Sequence, residues 1–213
     1  MARGFKKRHS GKGTPPGTLI SRKSERETPG SLTGFSYNET QCESWQGSSL
    51  KTLADRVSDK DGIHWIIVHH THDADTLRIL GELFKINTLV LEDILNNDHP
   101  IKVEDWDDYS FFVLKTMSGR EDGEEITVGQ VNLIVMDRVL LTFLENGDDF
   151  LNPVIERLTG GKGRMRRSGT AYLAYSIIDS IVDHYYPVLE MFSDRIDMME
   201  AKVFEHPSAG TIN

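Results

Sequence analysis

The chain of 213 residues is long enough for one large domain or two small ones, and 38% of its residues are hydrophobic, as in ordinary globular proteins. Its single cysteine, Cys42, excludes a disulfide framework and a cysteine-based zinc cluster. No apolar run approaches the roughly 18 residues of a membrane helix, so the chain as given is predicted to be soluble.

The formal net charge of −9 is unevenly distributed along the chain. Residues 1–34 carry eight Lys or Arg and two Glu, a net of +6, and are rich in Gly, Ser and Pro. Such a segment buries too little apolar surface to offset its ordering entropy, which predicts a disordered basic tail. The rest of the chain has a net charge of −15, which repels nucleic acid and attracts cations or basic surfaces.

Residues 35–160 have the pattern of an α/β domain, with apolar residues at strand spacing in some segments and at helix spacing in others. Asp73 or Asp75 can cap a helix, and the turn Asp137–Arg138 can join two strands as a hairpin. The predicted strands are Phe35–Asn38 at a sheet edge, His64–His69, Tyr109–Met117, Gln130–Met136 and Val139–Leu144. The predicted helices are Ser49–Arg56, one over Leu77–Phe84, Thr88 to about Asn96, and Asn152–Leu158.

Residues 161–213 are predicted to form a helical extension that packs on this domain. From Ala171 to about Phe204 apolar residues recur every three or four positions, which predicts one helical stripe. Pro187 lies in the middle and is expected to kink the helix or divide it in two. The order of elements favours an α/β sheet layer with a C-terminal extension. The stripe comprises Tyr175, Ile178, Val182, Tyr185, Leu189, Phe192, Ile196, Met199 and Val203.

Two adjacent carboxylates, Glu92 and Asp93, interrupt the aliphatic run LVLEDILN. Neighbouring residues on a helix point about 100° apart, so both cannot lie on the apolar side. In one interpretation the leucines at 89, 91 and 95 are buried and the carboxylates are solvated at the edge. In the other, Glu92 and Asp93 project toward another subunit, where a bound cation makes two acidic surfaces compatible.

A second acidic constellation follows the long helix beside the apolar stripe. Like charges at this spacing are mildly unfavourable unless cations or basic groups screen them. Carboxylate oxygens suit hard divalent ions such as Mg²⁺, so this acidic stripe is either a solvated face or a source of metal ligands, with Asp179 and Asp183 as its first candidates. The acidic stripe comprises Asp179, Asp183, Glu190, Asp194 and Asp197.

Other chemistry has weaker support in the sequence. His69, His70 and His72 resemble a zinc site, but successive strand residues alternate faces and surface histidines explain them as well. Gly160–Gly163 lacks the strand and the Lys-Ser/Thr ending of a phosphate loop. No nucleophile pattern, dinucleotide fingerprint or kinase signature is present, so the chain is not predicted to be an enzyme.

Three segments in combination resemble the N-terminal cytoplasmic domain of CorA-type magnesium/cobalt transporters. They are LVLEDILN…HPIKVEDWDDYSFFVLK, QVNLIVMDRVLLTFLE and AYLAYSIIDSIVDHYYPVLEMFSDRIDMMEAKVFEHP, within about His64 to Pro207. The resemblance implies an α/β/α sandwich with a mixed sheet and a long-helix extension at the start of a stalk region. It also implies a homopentamer in the inner (plasma) membrane, with this part cytoplasmic.

The resemblance assigns regulatory Mg²⁺, or Co²⁺ or another divalent cation, to sites between neighbouring copies that hold the pore closed. Carried over by motif, Asp93 would be the principal ligand, with Glu92 and Asp179 near a second site. The family's transmembrane helices and Gly-Met-Asn signature do not occur before Asn213, so the chain is expected to be a fragment that does not itself transport. A zinc-transporting relative of the same fold, and a stand-alone acidic interaction domain, are the alternative functions.

Overall fold

The computed structural model describes residues 17–19, 31–47, 51–58, 61–69, 73–96, 99–119, 126–145 and 149–205. Within these residues a mixed sheet lies between two layers of helices, which confirms the predicted α/β/α sandwich with a C-terminal helical extension. The strands are β1 (Leu32–Tyr37), β2 (Cys42–Gly47), β3 (Ile63–His69), β4 (Lys102–Asp105), β5 (Ser110–Gly119), β6 (Ile126–Val135) and β7 (Val139–Leu144). The helices are α1 (Lys51–Val57), α2 (Ala74–Phe84), α3 (Thr88–Leu95), α4 (Asn152–Thr159), α5 (Thr170–Asp183) and α6 (Tyr185–Glu205).

The sheet has the strand order β2-β1-β3-β7-β6-β5-β4. Only the central pair, β3 and β7, is parallel among the strand pairs of the described chain. The β6–β7 hairpin turns at Asp137–Arg138 as predicted, and the amide of Met136 donates to the carbonyl of Val139 at 2.9 Å. Of the two outer strands, β2 has six residues and β4 only four, so β4 exposes little unpaired backbone at its edge of the sheet.

Two separate cores cover the two faces of the sheet. One side packs α1, α2 and α3 against residues such as Ile66, Phe111 and Phe143. The opposite side packs α4 and α5 against residues such as Trp65 and Leu133. Since consecutive strand residues alternate faces, Trp65 and Ile66 belong to different cores. Any side chain on α3 is therefore separated from one on α5 by the thickness of the sheet.

The N-terminal edge of the sheet differs from the prediction. The strand expected at Phe35–Asn38 begins at Leu32, within the segment expected to be a tail, and it lies inside the sheet because β2 covers its outer side. Neither β2 nor β4 was predicted. Both are edge strands whose residues are mostly exposed or half-buried, so they lack the alternating apolar pattern of a strand that covers a core.

The predicted division of the long helix at Pro187 is confirmed, and its position has a local cause. Helix α5 ends at Asp183 and α6 begins at Tyr185, with His184 between them. Proline has no amide hydrogen, and its ring crowds the carbonyl four residues earlier, which belongs to Asp183. Pro187 is tolerated because it then lies in the first turn of α6, where amides lack intrahelical partners.

The face that α5 buries is not the predicted stripe. Leu173, Ile177 and Ile181 lie in the core, whereas Tyr175 and Val182 of the stripe are exposed. Helix α5 is apolar on more than one side, so spacing alone could not select the side that meets the sheet. Helix α6 contacts the end of β5, where the Tyr185 hydroxyl donates to the carbonyl of Lys115.

Candidate metal centre

Helix α3 places the two predicted carboxylates at the border between core and surface. Asn87 caps the helix, since its side-chain oxygen accepts a hydrogen bond from the amide of Leu89 at 2.9 Å. The buried side comprises Val90, Leu91, Ile94 and Leu95, whereas Leu89, expected to be buried, is 46% exposed. Glu92 and Asp93 lie on the flanks and are half-buried rather than solvated.

Asp93 is held by two cationic or potentially cationic side chains from the segment that follows α3. Its Oδ2 accepts a hydrogen bond from Lys102 Nζ at 2.6 Å, and its Oδ1 lies 2.9 Å from His99 Nε2. The Asp93 side chain is only 19% exposed, so these partners provide the compensation that a half-buried carboxylate requires.

Lys102 lies at the centre of this arrangement, at the start of the edge strand β4. Its ammonium also donates to Glu104 Oε1 at 2.8 Å and lies 5.5 Å from the centre of the Phe111 ring. Burial acts to lower the pKa of Lys102, but hydrogen bonds and the negative charges of Asp93 and Glu104 outweigh it and raise that pKa. Lys102 is therefore positively charged at neutral pH and bridges two carboxylates.

Glu92 has a different partner, from the segment that was predicted to be a tail. Its Oε2 accepts a hydrogen bond from the amide of Gly17 at 2.7 Å. Gly17 has φ +82°, and a Cβ there would lie 2.7 Å from Thr88 Oγ1, so this close approach to α3 requires glycine. Leu19 packs against the same core as α3. Residues 17–19 thus lie against the helix that carries both carboxylates.

Asp179 and Asp183 are exposed on α5, which packs on the other face of the sheet. One copy of the chain therefore does not bring them together with Glu92 and Asp93. Glu190, Asp194 and Asp197 are likewise exposed along α6. The four candidate ligands therefore form two separate pairs, Glu92 with Asp93 on α3 and Asp179 with Asp183 one helical turn apart on α5.

The oxygens of Glu92 and Asp93 are the type of ligand that a hard divalent cation prefers, but two carboxylates are too few to complete its coordination shell. In the part of the chain that the structure describes, no group of three or more His, Cys, Asp or Glu side chains is arranged to hold a metal ion. Mg²⁺ needs only one or two carboxylates and keeps several waters, so Glu92 and Asp93 could supply part of a coordination shell. Water or a second copy of the chain would have to supply the rest.

The histidines considered for zinc gain no support from the described residues. His69, at the end of β3, has its Nε2 3.2 Å from Thr33 Oγ1 of the neighbouring strand. His70 and His72 lie outside the described residues, as does the acidic segment 121–125.

Three polar residues around Asp93 were missed as site residues in the sequence. His99 and Lys102 contact the carboxylate, and the Gln130 amide donates to the carbonyls of Asp93 and Asn96 at 3.5 and 3.3 Å. The signal for Gln130 in the sequence was a polar residue directly before the apolar run of β6. Its burial became visible only in the structure. The identity of its partner depends on how α3 crosses the sheet.

A comparison with protein families decides the family of this chain. The model of the family described as CorA-like Mg²⁺ transporter protein matches residues 60–213, well over half of the chain. The chain belongs to the CorA-like family. That family is one of transporters rather than enzymes, which confirms the expectation that the chain is not an enzyme.

The CorA-like assignment agrees with a curated relative. The chain is 34% identical over 201 residues to the cobalt/magnesium transport protein CorA of Thermotoga maritima, a match that covers 94% of this chain and 57% of the relative. The chain thus spans little more than half the length of that CorA protein. None of the helices in the described ranges has the length and apolar character needed to cross a membrane.

Two solved structures of soluble or cytoplasmic domains, one of them from a CorA protein, are similar in fold to this chain. The soluble domain of CorA from Methanocaldococcus jannaschii matches with a TM-score of 0.61 at 16% identity, over 84% of this chain and 67% of that one. The ZntB cytoplasmic domain from Vibrio parahaemolyticus matches with a TM-score of 0.58 at 11% identity, over 84% and 68%. At these identities the likeness shows the fold alone.

Proposed function

We propose that this chain is the cytoplasmic, cation-sensing part of a CorA-like protein that transports Mg²⁺ or Co²⁺ across the inner membrane. In this proposal a divalent cation that is bound between neighbouring copies favours the closed pore. The whole protein is a homopentamer that spans the membrane through segments outside this chain. The observation that carries the proposal is the half-buried pair Glu92 and Asp93 on α3, within the residues that the family model matches.

The carboxylate chemistry supports a cation rather than an organic ligand. Glu92 and Asp93 offer only oxygen ligands, which hard dications prefer, and the chain outside its first 34 residues has a net charge of −15. When bound, the ion would supply two positive charges between acidic surfaces of adjoining copies. Without that charge the carboxylates of neighbouring copies repel one another and favour separation.

The two faces of the sandwich support a site that is completed between copies. Asp93 on one face and Asp179 and Asp183 on the other cannot share an ion within a single chain, whereas the two faces of adjacent copies in a ring can meet. Gating is then a population shift, whose size is set by the difference in cation affinity between the closed and open arrangements.

The test is Asp93→Ala in the full-length protein, with Mg²⁺ protection against limited proteolysis as the measurement. We expect the Mg²⁺ concentration for half-maximal protection to rise at least about tenfold, because a dication loses a charged oxygen ligand. Asp55→Ala, which removes an exposed carboxylate on α1 outside the candidate ligands and the acidic stripe, is the matched control and should leave protection unchanged. Unchanged protection in Asp93→Ala would refute Asp93 as a sensor.

The zinc alternative predicts a different result. It requires protection by Zn²⁺ at concentrations at which Mg²⁺ has no effect, and a loss of that protection when His69, His70 and His72 are replaced together. The contact between His69 and Thr33 and the 11% identity to the ZntB domain do not favour this alternative.

A further inference from the structure

The Asp93 carboxylate already has a positive charge beside it that belongs to the chain itself. Lys102 Nζ lies 2.6 Å from Asp93 Oδ2 and 2.8 Å from Glu104 Oε1, so one ammonium bridges two carboxylates. The Lys102 side chain is 25% exposed, less than is usual for lysine, and its ammonium lies over the Phe111 ring. Oxygens of Asp93 and Glu104 thus hold the Lys102 ammonium much as carboxylate ligands hold a bound metal cation.

A divalent cation that binds Asp93 Oδ2 would either share this oxygen with the Lys102 ammonium or displace the ammonium from it. Charges of like sign a few ångströms apart repel strongly where solvent screening is incomplete, so both are not accommodated on Oδ2 without loss. His99 contacts the other oxygen, Oδ1, and the amide of Gly17 contacts the neighbouring Glu92. Lys102 therefore determines whether Oδ2 of Asp93 is available to a divalent cation.

We infer that Lys102 is the internal counter-ion of Asp93, which competes with the divalent cation and so sets the affinity of the site. The inference rests on the proposed function, because it concerns cation binding at Asp93. In the ion-free chain Lys102 pairs with both Asp93 and Glu104, offsets one of their two negative charges, and keeps the end of α3 joined to β4. Occupancy by a dication then requires that this ammonium give up Asp93 while it keeps Glu104, which holds it nearby.

A purely structural role for Lys102 makes a different prediction. If the ion pair only fastens β4 to α3, its loss lowers stability and leaves cation affinity unchanged or reduced. If Lys102 competes with the cation, its loss increases affinity, because Asp93 and Glu104 then face each other without an intervening positive charge. Loss of Lys102 therefore increases cation affinity if Lys102 competes with the cation, and leaves it unchanged or reduced if the role of Lys102 is purely structural.

The experiment is calorimetric titration of the chain with MgCl₂, and separately with CoCl₂, at fixed ionic strength. Lys102→Met removes the ammonium but keeps an unbranched side chain over Phe111, and Lys102→Arg keeps the positive charge. Arg78→Met is the control for net charge, since Arg78 lies on α2 of the same helical layer and pairs with Asp75 and Glu82. Thermal unfolding followed by circular dichroism establishes that each variant folds, and Lys102→Gln replaces Lys102→Met if that variant does not.

We expect Lys102→Met to bind Mg²⁺ about three- to tenfold more tightly than the unmodified chain, with Lys102→Arg and Arg78→Met within about twofold of it. Equal or weaker binding by Lys102→Met, including no measurable binding by either protein, overturns the inference. A gain that persists in Asp93→Asn/Lys102→Met also overturns it, since the new affinity would then arise elsewhere.

The same titrations separate this inference from the proposed function. Binding that Asp93→Asn abolishes, together with no gain in Lys102→Met, removes Lys102 as a competitor and leaves Asp93 as a ligand. Binding by Asp93→Asn equal to that of the unmodified chain removes Asp93 as the sensor, and the counter-ion inference fails with it.

Discussion

Helices α3 and α6 are both built from aliphatic and acidic residues, but the fold gives those residues different surroundings. On α3 the aliphatic side chains Val90, Leu91 and Ile94 are buried, and Glu92 and Asp93 have hydrogen-bond partners in the chain. On α6 the aliphatic and aromatic side chains of the predicted stripe, among them Leu189, Phe192, Ile196 and Met199, are exposed, and so are Glu190, Asp194 and Asp197.

The difference shows that helical patterning identifies which side chains share a face, but not what that face meets. Helix α3 lies over the sheet, so its apolar side is covered, and of its flanking carboxylates Asp93 contacts Lys102 of β4 while Glu92 contacts Gly17. Helix α6 extends past the end of β5 and contacts it near Met191 and Gly119. The same residue types therefore contribute to stability in one helix and mainly to the surface in the other.

The largest expected effect concerns the aliphatic residues of the two helices. Ile94→Ala should lower the free energy of unfolding by about 2–5 kcal/mol, because Ile94 is fully buried and its truncation leaves a cavity. The matched change Ile196→Ala, at a residue 56% exposed, should cost less than about 1 kcal/mol. Urea unfolding of the chain measures both, and equal losses would show that the exposed side of α6 is covered in solution.

A smaller effect is expected for the carboxylates. Asp93→Asn should lower the free energy of unfolding by about 1–3 kcal/mol in metal-free buffer, because Lys102 loses a charged hydrogen-bond acceptor and retains only Glu104. Asp194→Asn on α6 should change it by no more than about 0.5 kcal/mol. Equal changes in unfolding free energy for the two substitutions would contradict the difference in surroundings between α3 and α6.

The smallest effect is expected at the boundary between α5 and α6. Pro187→Ala restores an amide hydrogen and removes the crowding of the Asp183 carbonyl, so the two helices could join. Packing of Tyr185 against Lys115 and of Met191 beside Gly119 still fixes the start of α6. We expect a change in unfolding free energy below about 1 kcal/mol and little change in far-ultraviolet circular dichroism. Because only His184 separates the two helices, joining them adds little helicity, and a change in unfolding free energy well above this limit would instead mean that Pro187 alone fixes the boundary.

Prediction from the sequence was most accurate where the cause is local. The Asp73 cap, the Asp137–Arg138 hairpin and the helix boundary before Pro187 each depend on a few consecutive residues, and all three are present. The carboxylates were found because charge within an aliphatic run is conspicuous. Their role as metal ligands stays a prediction, since it depends on a neighbouring copy, and the division of the chain at residues 34 and 160 stays one as well.

The sequence by itself determined an α/β sheet layer with a C-terminal helical extension, through the periodicity and order of its elements, and its resemblance to the CorA-like family implied the α/β/α sandwich. Only the tertiary structure decided that β1 lies inside the sheet, that Gly17 contacts Glu92 and that Lys102 neutralises Asp93. Periodicity and capping are set by backbone hydrogen bonds that span about four residues. Pairing of Asp93 with Lys102 requires instead the register of the edge strand β4 against β5 and the position of the end of α3 over the sheet, which no local pattern encodes.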